Sequence, residues 1–386
     1  MRLTAAQRRE QLAEVAARRF QEIGFHRVTL AEVAAEAGVT APALYRHFRN
    51  KQGLLAGAIS TGLDAVEQTL ERMSDNSLEE IVTAVAQLMR DRDYLWPLVQ
   101  REARFLVPEL RAQTSRQIDR VISTFTEKLR ERRPGLSLED SRMLVTAATS
   151  ALSAPALPHS VPRTFAGGEV AAAANAILLT NLPENGPVAD PEPATGADET
   201  GSRQAELLDS AITLFAERGY GAVSLDDIGA AIGIAGPSIY HHFETKADLL
   251  GAAFERAVDR LGQERAQHPL AAEDRLEQRV GQYIDFCLRN RKLVGLYVSE
   301  TLHLPDEAAN RIRKILREHV SEWTTVLERE ADGLDPRAAR VRASVALTVI
   351  DDLVRLGPFH RRPLIGAELR ALALAILGPQ RTSAPT

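Results

Sequence analysis

The sequence predicts an all-α chain built from two copies of one helical unit. Three observations point to this fold class: apolar residues recur at helical spacing, the short alternating strands typical of all-β proteins are absent, and the two halves repeat each other. Apolar residues make up 45% and charged residues 26% of the 386 residues. This is the balance of a globular protein large enough to bury a full core.

The repeat is the strongest of these observations. Shifted by 195 residues, the segments 20–55 and 215–250 align without a gap, and 14 of 36 positions are identical. The first segment reads FQEIGFHRVTLAEVAAEAGVTAPALYRHFRNKQGLL, and the second reads FAERGYGAVSLDDIGAAIGIAGPSIYHHFETKADLL. A weaker match relates 136–152 to 334–350. We therefore expect that one ancestral unit was duplicated.

Each copy of the repeated segment predicts three helices. The first helix carries an apolar stripe and ends at Gly24 or Gly219. Thr29 or Ser224 then caps a short second helix, and an acidic residue three positions later completes a capping box. A glycine turn leads to the third helix, predicted over 41–48 and 236–243. Two short helices joined by a tight glycine turn form a helix-turn-helix, whose second helix can enter the DNA major groove.

The segments ALYRHFRNKQGLL and SIYHHFETKADLL, with the capped helix and glycine turn before them, resemble the DNA-binding domain of the tetracycline-repressor (TetR) family. The motif covers about 50 residues of each half. The resemblance implies a transcriptional regulator, most often a repressor released by a small apolar or amphipathic effector. It also implies that each helix-turn-helix domain is followed by a helical ligand-binding and dimerisation bundle. The partner would be a double-stranded DNA operator.

The resemblance also implies which residues contact DNA. Side chains with hydrogen-bond donors or an aromatic ring would hold the DNA backbone: Thr29, Tyr45, His47 and Lys51, matched by Ser224, Tyr240, His242 and Lys246. Residues at the start of the third helix would face base edges: Thr40, Ala41, Pro42, Ala43 and Arg46, matched by Ala235, Gly236, Pro237, Ser238 and His241. Leu44 and Phe48 are interpreted as core residues.

The two copies differ in charge. Residues 8–51 carry eight bases and five acids, whereas residues 203–246 carry three bases and six acids. Each neutralised phosphate adds a salt-dependent share of the affinity. We therefore expect the first copy to bind DNA more strongly. The second copy either contacts a different half-site or no longer binds DNA. Alternatively, its acids lie on the face away from DNA and cost little.

We divide the chain into six segments. They are a first helix-turn-helix domain at 1–53, a first regulatory and dimerisation domain at 54–182, a linker at 183–202, a second helix-turn-helix domain at 203–248, a second regulatory domain at 249–378 and a disordered tail at 379–386. The linker holds five acids, four prolines and three glycines but no base. Such a segment buries too little apolar surface to offset the entropy of ordering it.

The regulatory segments predict long helices between which a ligand could bind. Helices are predicted at 54–73, 78–91, 93–107, 109–132, 138–154 and 168–181, and at 247–265, 270–290, 292–303, 306–331, 335–356 and 363–377. Candidate ligand-binding residues are Tyr94, Trp96, Arg101 and Phe105 in the first unit and Tyr283, Phe286, Tyr297, Glu300 and His303 in the second. The alternative is that these aromatic residues are ordinary core. The last two helices of each unit are rich in Ala and Leu, which suits close helix packing. The family resemblance implies that they form a dimer-type interface, within one chain or between two chains.

The sequence argues against catalysis, cofactors and metals. It contains no phosphate-binding loop, GxSxG, HExxH or paired-cysteine motif, and Cys287 is the single cysteine. Asp351 and Asp352 are interpreted as helix-surface or interface charges. No segment reaches the length of a membrane span and no signal-peptide core is found, so we expect a cytoplasmic protein, of bacterial origin from its low lysine content. The alternative function is a helical partner-binding scaffold, which DNA-binding measurements would distinguish.

Overall fold

A computed structural model describes residues 3–154, 167–186, 203–234, 239–240, 242–267, 276–331 and 333–378. Across these residues the chain is helical, with turns and no strand, which confirms the predicted all-α class. Most of the predicted linker, the base-edge candidates 235–238, His241 and the tail 379–386 lie outside the described residues. The chain divides into two compact units, Met1–Thr180 and Asn181–Pro379.

The first unit begins with a helix-turn-helix domain and continues as a bundle. Its helices are α1 Ala5–Ile23, α2 Leu30–Glu36, α3 Ala41–Tyr45, α4 Lys51–Arg72, α5 Leu78–Asp91, α6 Leu95–Pro97, α7 Pro108–Arg132, α8 Leu138–Ser153 and α9 Gly167–Leu179. The core of the first domain is formed by Leu12, Phe20, Leu44 and Leu54, all fully buried. Helix α4 belongs to both parts, because it packs on α1 at its start and on α5 and α7 further along.

The second unit repeats this order. Its helices are α10 Arg203–Arg218, α11 Leu225–Ala231, α12 Lys246–Gln267, α13 Leu276–Arg289, α14 Arg291–Glu300, α15 Asp306–Glu330, α16 Pro336–Arg355 and α17 Ile365–Leu377. Leu207, Phe215, Ile239 and Leu249 form the core of its helix-turn-helix domain. The bundle helices α13, α15 and α16 begin 198 residues after α5, α7 and α8, so side chains 198 apart hold the same place in the two bundles.

The predicted stops of the first helices and caps of the second helices are confirmed. Gly24 and Gly219 end the first helices with φ of 84° and 82°, a left-handed conformation that L residues with a Cβ rarely adopt. Thr29 and Ser224 each accept a hydrogen bond from the backbone N–H three residues later, and both capping boxes are complete.

The third helix of the first copy, predicted over 41–48, ends at Tyr45, and its counterpart predicted over 236–243 lies partly outside the described residues. The prediction of one helix over 93–107 is wrong. The segment 93–107 is not continuous: α6 ends at Pro97, a π-helical turn spans Leu98–Glu102, and a 3-10 turn spans Ala103–Phe105. Pro97 has no N–H for the regular backbone hydrogen bond, so the α-helical pattern cannot continue unchanged through it. This irregular segment lies next to the helix-turn-helix domain, where several candidate residues are found.

Candidate DNA-binding surface

The third helix of the first copy is short and only one side of it is buried. Leu44 is fully buried and Phe48 is 2% exposed, which confirms both as core residues. The Arg9 guanidinium lies 4.2 Å from the centre of the Phe48 ring and donates a hydrogen bond to the His47 carbonyl. These contacts fix the helix against α1 and leave its other side open.

The open side carries the predicted base-edge residues. Thr40 precedes the helix and makes no side-chain capping hydrogen bond, so its exposed hydroxyl is available to a partner. Pro42 is exposed, and Ala41 and Ala43 are half-buried. Small side chains at these positions let the helix backbone approach a flat partner closely.

Cationic and aromatic groups flank the same helix. Tyr45 is 52% exposed, one of the few large apolar side chains that the first unit leaves on its surface. Arg27, Arg46 and Arg49 are exposed, and their guanidinium groups make no hydrogen bond or ion pair with any residue that the structure describes. Exposed arginines without acidic partners match the polyanionic backbone of DNA.

Lys51 and Lys246, the two lysines predicted to contact DNA, each donate hydrogen bonds to backbone carbonyls within their own domain. The Lys51 ammonium donates to the His26 carbonyl at 3.1 Å and lies 4.6 Å from the centre of the Phe25 ring. Lys246 donates to the Tyr220 and Val223 carbonyls, both at 2.7 Å. Both ammonium groups therefore hold the 3-10 turn that follows the first helix, and burial lowers the pKa of both. An ammonium has three donors, so a phosphate contact by Lys51 remains a prediction.

The hydroxyls of Thr29 and Ser224 already donate hydrogen bonds to acidic side chains of their own capping boxes. In the first copy, Glu32 accepts from both the backbone N–H and the hydroxyl of Thr29, at 2.8 Å each, and these bonds hold the pKa of Glu32 below its usual value. In the second copy, Asp227 accepts in the same way from Ser224. Both hydroxyls lie on the exposed side, and their contact with a phosphate stays a prediction.

The second copy keeps the shape of this surface but changes its charge. Tyr240 is 57% exposed, close to the value for Tyr45, and His242 is exposed. An open recess of about 460 Å³ brings Tyr240 together with Ser224 and Lys246, but Asp227 and Glu244 line it as well. Two carboxylates in a recess of this kind repel a phosphate.

A further acid was not identified from the sequence. Asp248 lies in the first turn of α12, where its carboxylate accepts from the Thr245 N–H at 3.0 Å and from the Thr245 hydroxyl at 2.7 Å. At the corresponding position the first copy has Gly53, whose N–H donates to the capping Asn50 at 2.7 Å. The first turn of α12 thus carries a carboxylate, whereas α4 is capped by a neutral amide and has no acid in its first turn. Aligning KQG with KAD would have revealed this difference.

Comparison with known proteins agrees with this geometry. The model of the family described as "Bacterial regulatory proteins, tetR family" matches residues 12–58 and 207–253, the two segments just described. The HTH-type transcriptional repressor KstR2 of Rhodococcus jostii is 32% identical over 142 residues, which cover 36% of this chain and 70% of KstR2. The chain belongs to the TetR family. It is a tandem regulator with two DNA-binding domains of that family.

Other relatives of this TetR-family chain are also regulators rather than enzymes. The HTH-type transcriptional activator FasR of Mycolicibacterium smegmatis is 27% identical over 165 residues, covering 42% of this chain and 75% of FasR. The crystal structure of a TetR-family regulatory protein from Rhodococcus RHA1 is 29% identical, with a TM-score of 0.40, and covers 46% of this chain and 98% of that one. Within the described part of this chain, no helix has the length and apolarity needed to span a bilayer.

Three ligand-binding candidates of the first TetR-type unit lie at the junction of its domain and bundle. The Tyr94 hydroxyl accepts from Arg92 at 3.0 Å, and Arg92 also pairs with Glu14 of α1 at 2.9 Å. Arg101 donates to the Gln21 carbonyl of α1 at 3.3 Å. Phe105 stacks on Phe25, with ring centres 5.9 Å apart. Trp96, the fourth candidate, is half-buried. Effector contact by these residues remains a prediction.

A buried glutamate joins the bundle to the DNA-binding domain in both units. Glu102, 3% exposed, accepts from the Phe25 N–H at 3.1 Å. Glu300, fully buried, accepts from the Tyr220 N–H at 3.3 Å. Both N–H groups follow directly after the glycine that ends the first helix. Glu300 was predicted as a ligand contact, and Glu102 was not identified, although the two lie 198 residues apart.

In both units a ring from the bundle also stacks on the aromatic residue that follows this glycine. The His303 ring stacks on the Tyr220 ring, with centres 4.7 Å apart, and its Nε2 lies 3.7 Å from a Glu300 oxygen. In the first unit Phe105 takes the place of His303 and stacks on Phe25. Glu300 and His303 thus hold Tyr220 of the second helix-turn-helix domain against the bundle. Ligand contact by either residue remains a prediction.

Removing the Glu102 carboxylate is expected to loosen the contact between the first bundle and its DNA-binding domain. Glu102→Ala leaves the buried Phe25 N–H without its acceptor, which costs about 1–3 kcal/mol. We expect faster amide hydrogen exchange at Phe25 and a weaker hold on the first DNA-binding domain. Glu102→Gln retains an acceptor oxygen and should restore most of the protection. Equal exchange in the Ala and Gln variants would contradict the assigned role.

The remaining candidates, Tyr283, Phe286 and Tyr297, line the core of the second bundle. The Tyr283 hydroxyl donates to Asp351 Oδ1 at 2.7 Å. This contact corrects the sequence interpretation of the two aspartates: Asp351 is 6% exposed and Asp352 is fully buried, so neither is a surface charge. Burial on the inward side of α16 raises the pKa of Asp351 to about 7. Asp352 is instead bound by Arg355, at 2.6 Å.

Proposed function

We propose that this TetR-family chain binds its operator mainly through the first helix-turn-helix copy. The observation that carries the proposal is the set of exposed, unpaired guanidinium groups of Arg27, Arg46 and Arg49 beside the exposed Tyr45 ring. The second copy has Ala222, His241 and Glu244 at the three arginine positions. Its surface therefore lacks the charge that binding to a polyanion requires.

We further propose that the two units of one chain act as a pseudo-dimer and that a small apolar or amphipathic effector releases the DNA. The Ala- and Leu-rich final helices of each unit support close packing of one unit on the other. The proposal of effector release draws on the relative named as a repressor, KstR2. An effector that prefers a non-binding arrangement lowers DNA affinity by the difference between its two binding free energies.

The test uses a duplex enriched from random DNA by the full chain. Fluorescence anisotropy at 50–300 mM salt should give a log–log slope of about −2.7 or steeper, because the binding of at least three phosphates releases counterions. Sedimentation of the complex should give one chain for each duplex. A slope near zero would favour the partner-binding scaffold, and two chains for each duplex would contradict the pseudo-dimer.

A further inference from the structure

At one place the core of the second bundle is polar where that of the first is largely apolar. Four positions that lie 198 residues apart are occupied by Val85, Met89, Val121 and Ser153 in the first unit and by Tyr283, Cys287, His319 and Asp351 in the second. The first set is apolar apart from one small hydroxyl. The second set contains a carboxyl, a phenol, an imidazole and a thiol, which we call the Asp351 cluster.

The fold itself does not need these polar groups. In the first bundle the corresponding positions are closed by apolar packing, with Val85 5% exposed, Val121 8% and the adjacent Phe125 3%. Burying a carboxyl costs free energy that an apolar residue in the same place would not cost. Because the first unit forms the same helices without them, the polar groups of the second unit point to binding rather than to folding.

The geometry of the cluster leaves one acceptor open. Tyr283 and Cys287 both donate to the same oxygen of Asp351, Oδ1, at 2.7 and 3.6 Å. No described residue donates to Oδ2 of this buried side chain. The cation on the same helix, Arg355, is held by Asp352. The second carboxylate oxygen of Asp351 can therefore accept a hydrogen bond from a donor that the described part of the chain does not supply.

Aromatic rings cluster around Tyr283, whose hydroxyl donates to Asp351. The Tyr283 ring centre lies 5.0 Å from that of His319 and 5.8 Å from that of Trp323, and 6.4 Å from that of Phe286. Tyr297 of α14 lies near enough to Asp351 for the carboxylate charge to act on its hydroxyl. Tyr283 and Tyr297 keep part of their surface accessible to solvent, although burial raises the pKa of both hydroxyls. A carboxylate beside ring faces matches a cation that is attached to an apolar body.

We propose that the Asp351 cluster binds the ammonium group of an apolar amine and that the first bundle has no such site. The ammonium would donate to Asp351 Oδ2 and lie against the ring of Tyr283 or Trp323, while the apolar body extends along the bundle core. This deepens the effector responsiveness proposed above and rests on it only for the consequence at the operator. The two units would then divide the work: the first binds DNA and the second binds the effector.

The test uses Trp323 as a local probe. Trp96→Phe leaves Trp323 as the single tryptophan, and octylammonium chloride, 1-octanol and octanoate share one apolar chain with different head groups. We expect saturable quenching or enhancement of Trp323 fluorescence by octylammonium, at least tenfold weaker binding of octanol and none of octanoate. Equal affinity for the three compounds, or no response to octylammonium, would overturn the proposal.

Variants locate the site. In the Trp96→Phe background, Asp351→Asn should weaken octylammonium binding at least tenfold, whereas Ser153→Ala, at the matched position of the first unit, should leave it unchanged. An unchanged affinity in Asp351→Asn would overturn the proposal. Circular dichroism checks that both variants retain their helices.

A measurement on the parent protein covers the case in which Asp351→Asn does not fold. Octylammonium binding should strengthen about tenfold between pH 6 and pH 8 as Asp351 ionises, while octanol binding stays constant. The charged and titratable groups near the carboxyl are Asp352 and Arg355 on its own helix, Tyr283 and Cys287 on α13, His319 on α15 and Tyr297 on α14. Binding of octylammonium that does not change with pH would overturn the proposal. No DNA is present in these titrations, so their failure leaves the DNA-binding proposal standing.

Discussion

Replacing Tyr45, Arg46 and Arg49 together by alanine is expected to lower the affinity for the enriched duplex by about 100- to 1,000-fold near 0.15 M salt. Two cations are removed, each of which accounts for a factor of roughly five through counterion release at this salt, and base-edge contacts by arginine add about 1–3 kcal/mol. Because all three side chains are exposed, the fold should not change. Anisotropy titrations measure the decrease in affinity, and the salt slope should become shallower by about 2.

The matched control is in the second copy. Tyr240→Ala with Glu244→Ala removes side chains of similar exposure from the same surface and should change the affinity by less than about threefold. Removing the Glu244 carboxylate weakens the repulsion of phosphates, which offsets part of the effect of removing the Tyr240 ring. Equal decreases in affinity from the two sets of substitutions would contradict the claim that the copies are unequal.

Replacing Asp351 by asparagine is expected to stabilise the second unit at pH 8 by up to about 4 kcal/mol. In the folded chain the pKa of Asp351 is raised from 3.8 to about 7, so the native state binds this proton more tightly than the unfolded state. The stability that the protonated carboxyl contributes is complete below pH 3.8 and is lost as the pH rises through 7. Asparagine is neutral throughout and avoids this loss.

The measurement is chemical unfolding followed by Trp323 fluorescence in the Trp96→Phe background, at several pH values from 4 to 8. The parent should lose stability over this range relative to Asp351→Asn, and the two should converge near pH 4. The free energy of unfolding of Ser153→Ala, which does not change a titratable group, should vary with pH as that of the parent does. A constant difference between parent and Asp351→Asn at every pH would show that Asp351 does not titrate in this window.

The local structure of the DNA-binding domains was predictable because it depends on short-range chemistry. The left-handed glycines, the capping threonine and serine, and the buried Leu44 and Phe48 follow from residues within a few positions of each other. The same is true of the exposed Tyr45. Its repetition at Tyr240, together with the helical spacing, was enough to place it on the outer face.

The site in the second bundle was not predictable in this way, because tertiary packing decides it. Two adjacent aspartates on a helix resemble a solvated surface charge, and only the packing of α13 and α15 on α16 shows that Asp351 points inward. Glu102 was missed for the same reason, since its partner is a backbone N–H 77 residues earlier. Extending the 198-residue separation of the weaker match between 136–152 and 334–350 along both bundles would have paired Asp351 with Ser153 and Glu300 with Glu102.

The duplication gives the chain two DNA-binding domains and two bundles, and the differences between the copies suggest separate tasks for them. Unpaired arginines occur on the first DNA-binding surface, whereas carboxylates occupy the second. In the core of the second bundle, the buried Asp351 carboxyl has an oxygen that accepts from no described residue, and the matched position in the first bundle is Ser153. A single-unit regulator must retain both tasks in one copy, and a tandem chain can separate them.

In-vitro selection of duplex DNA by the full chain tests the central claim most directly. Two unlike DNA-binding domains in one chain predict an asymmetric consensus, with one strongly selected half-site bound by the first copy and a weakly selected or unselected second half. A perfect palindrome would contradict this account, because it requires two chains that each use the same copy. No enriched sequence at low salt would contradict sequence-specific DNA binding itself.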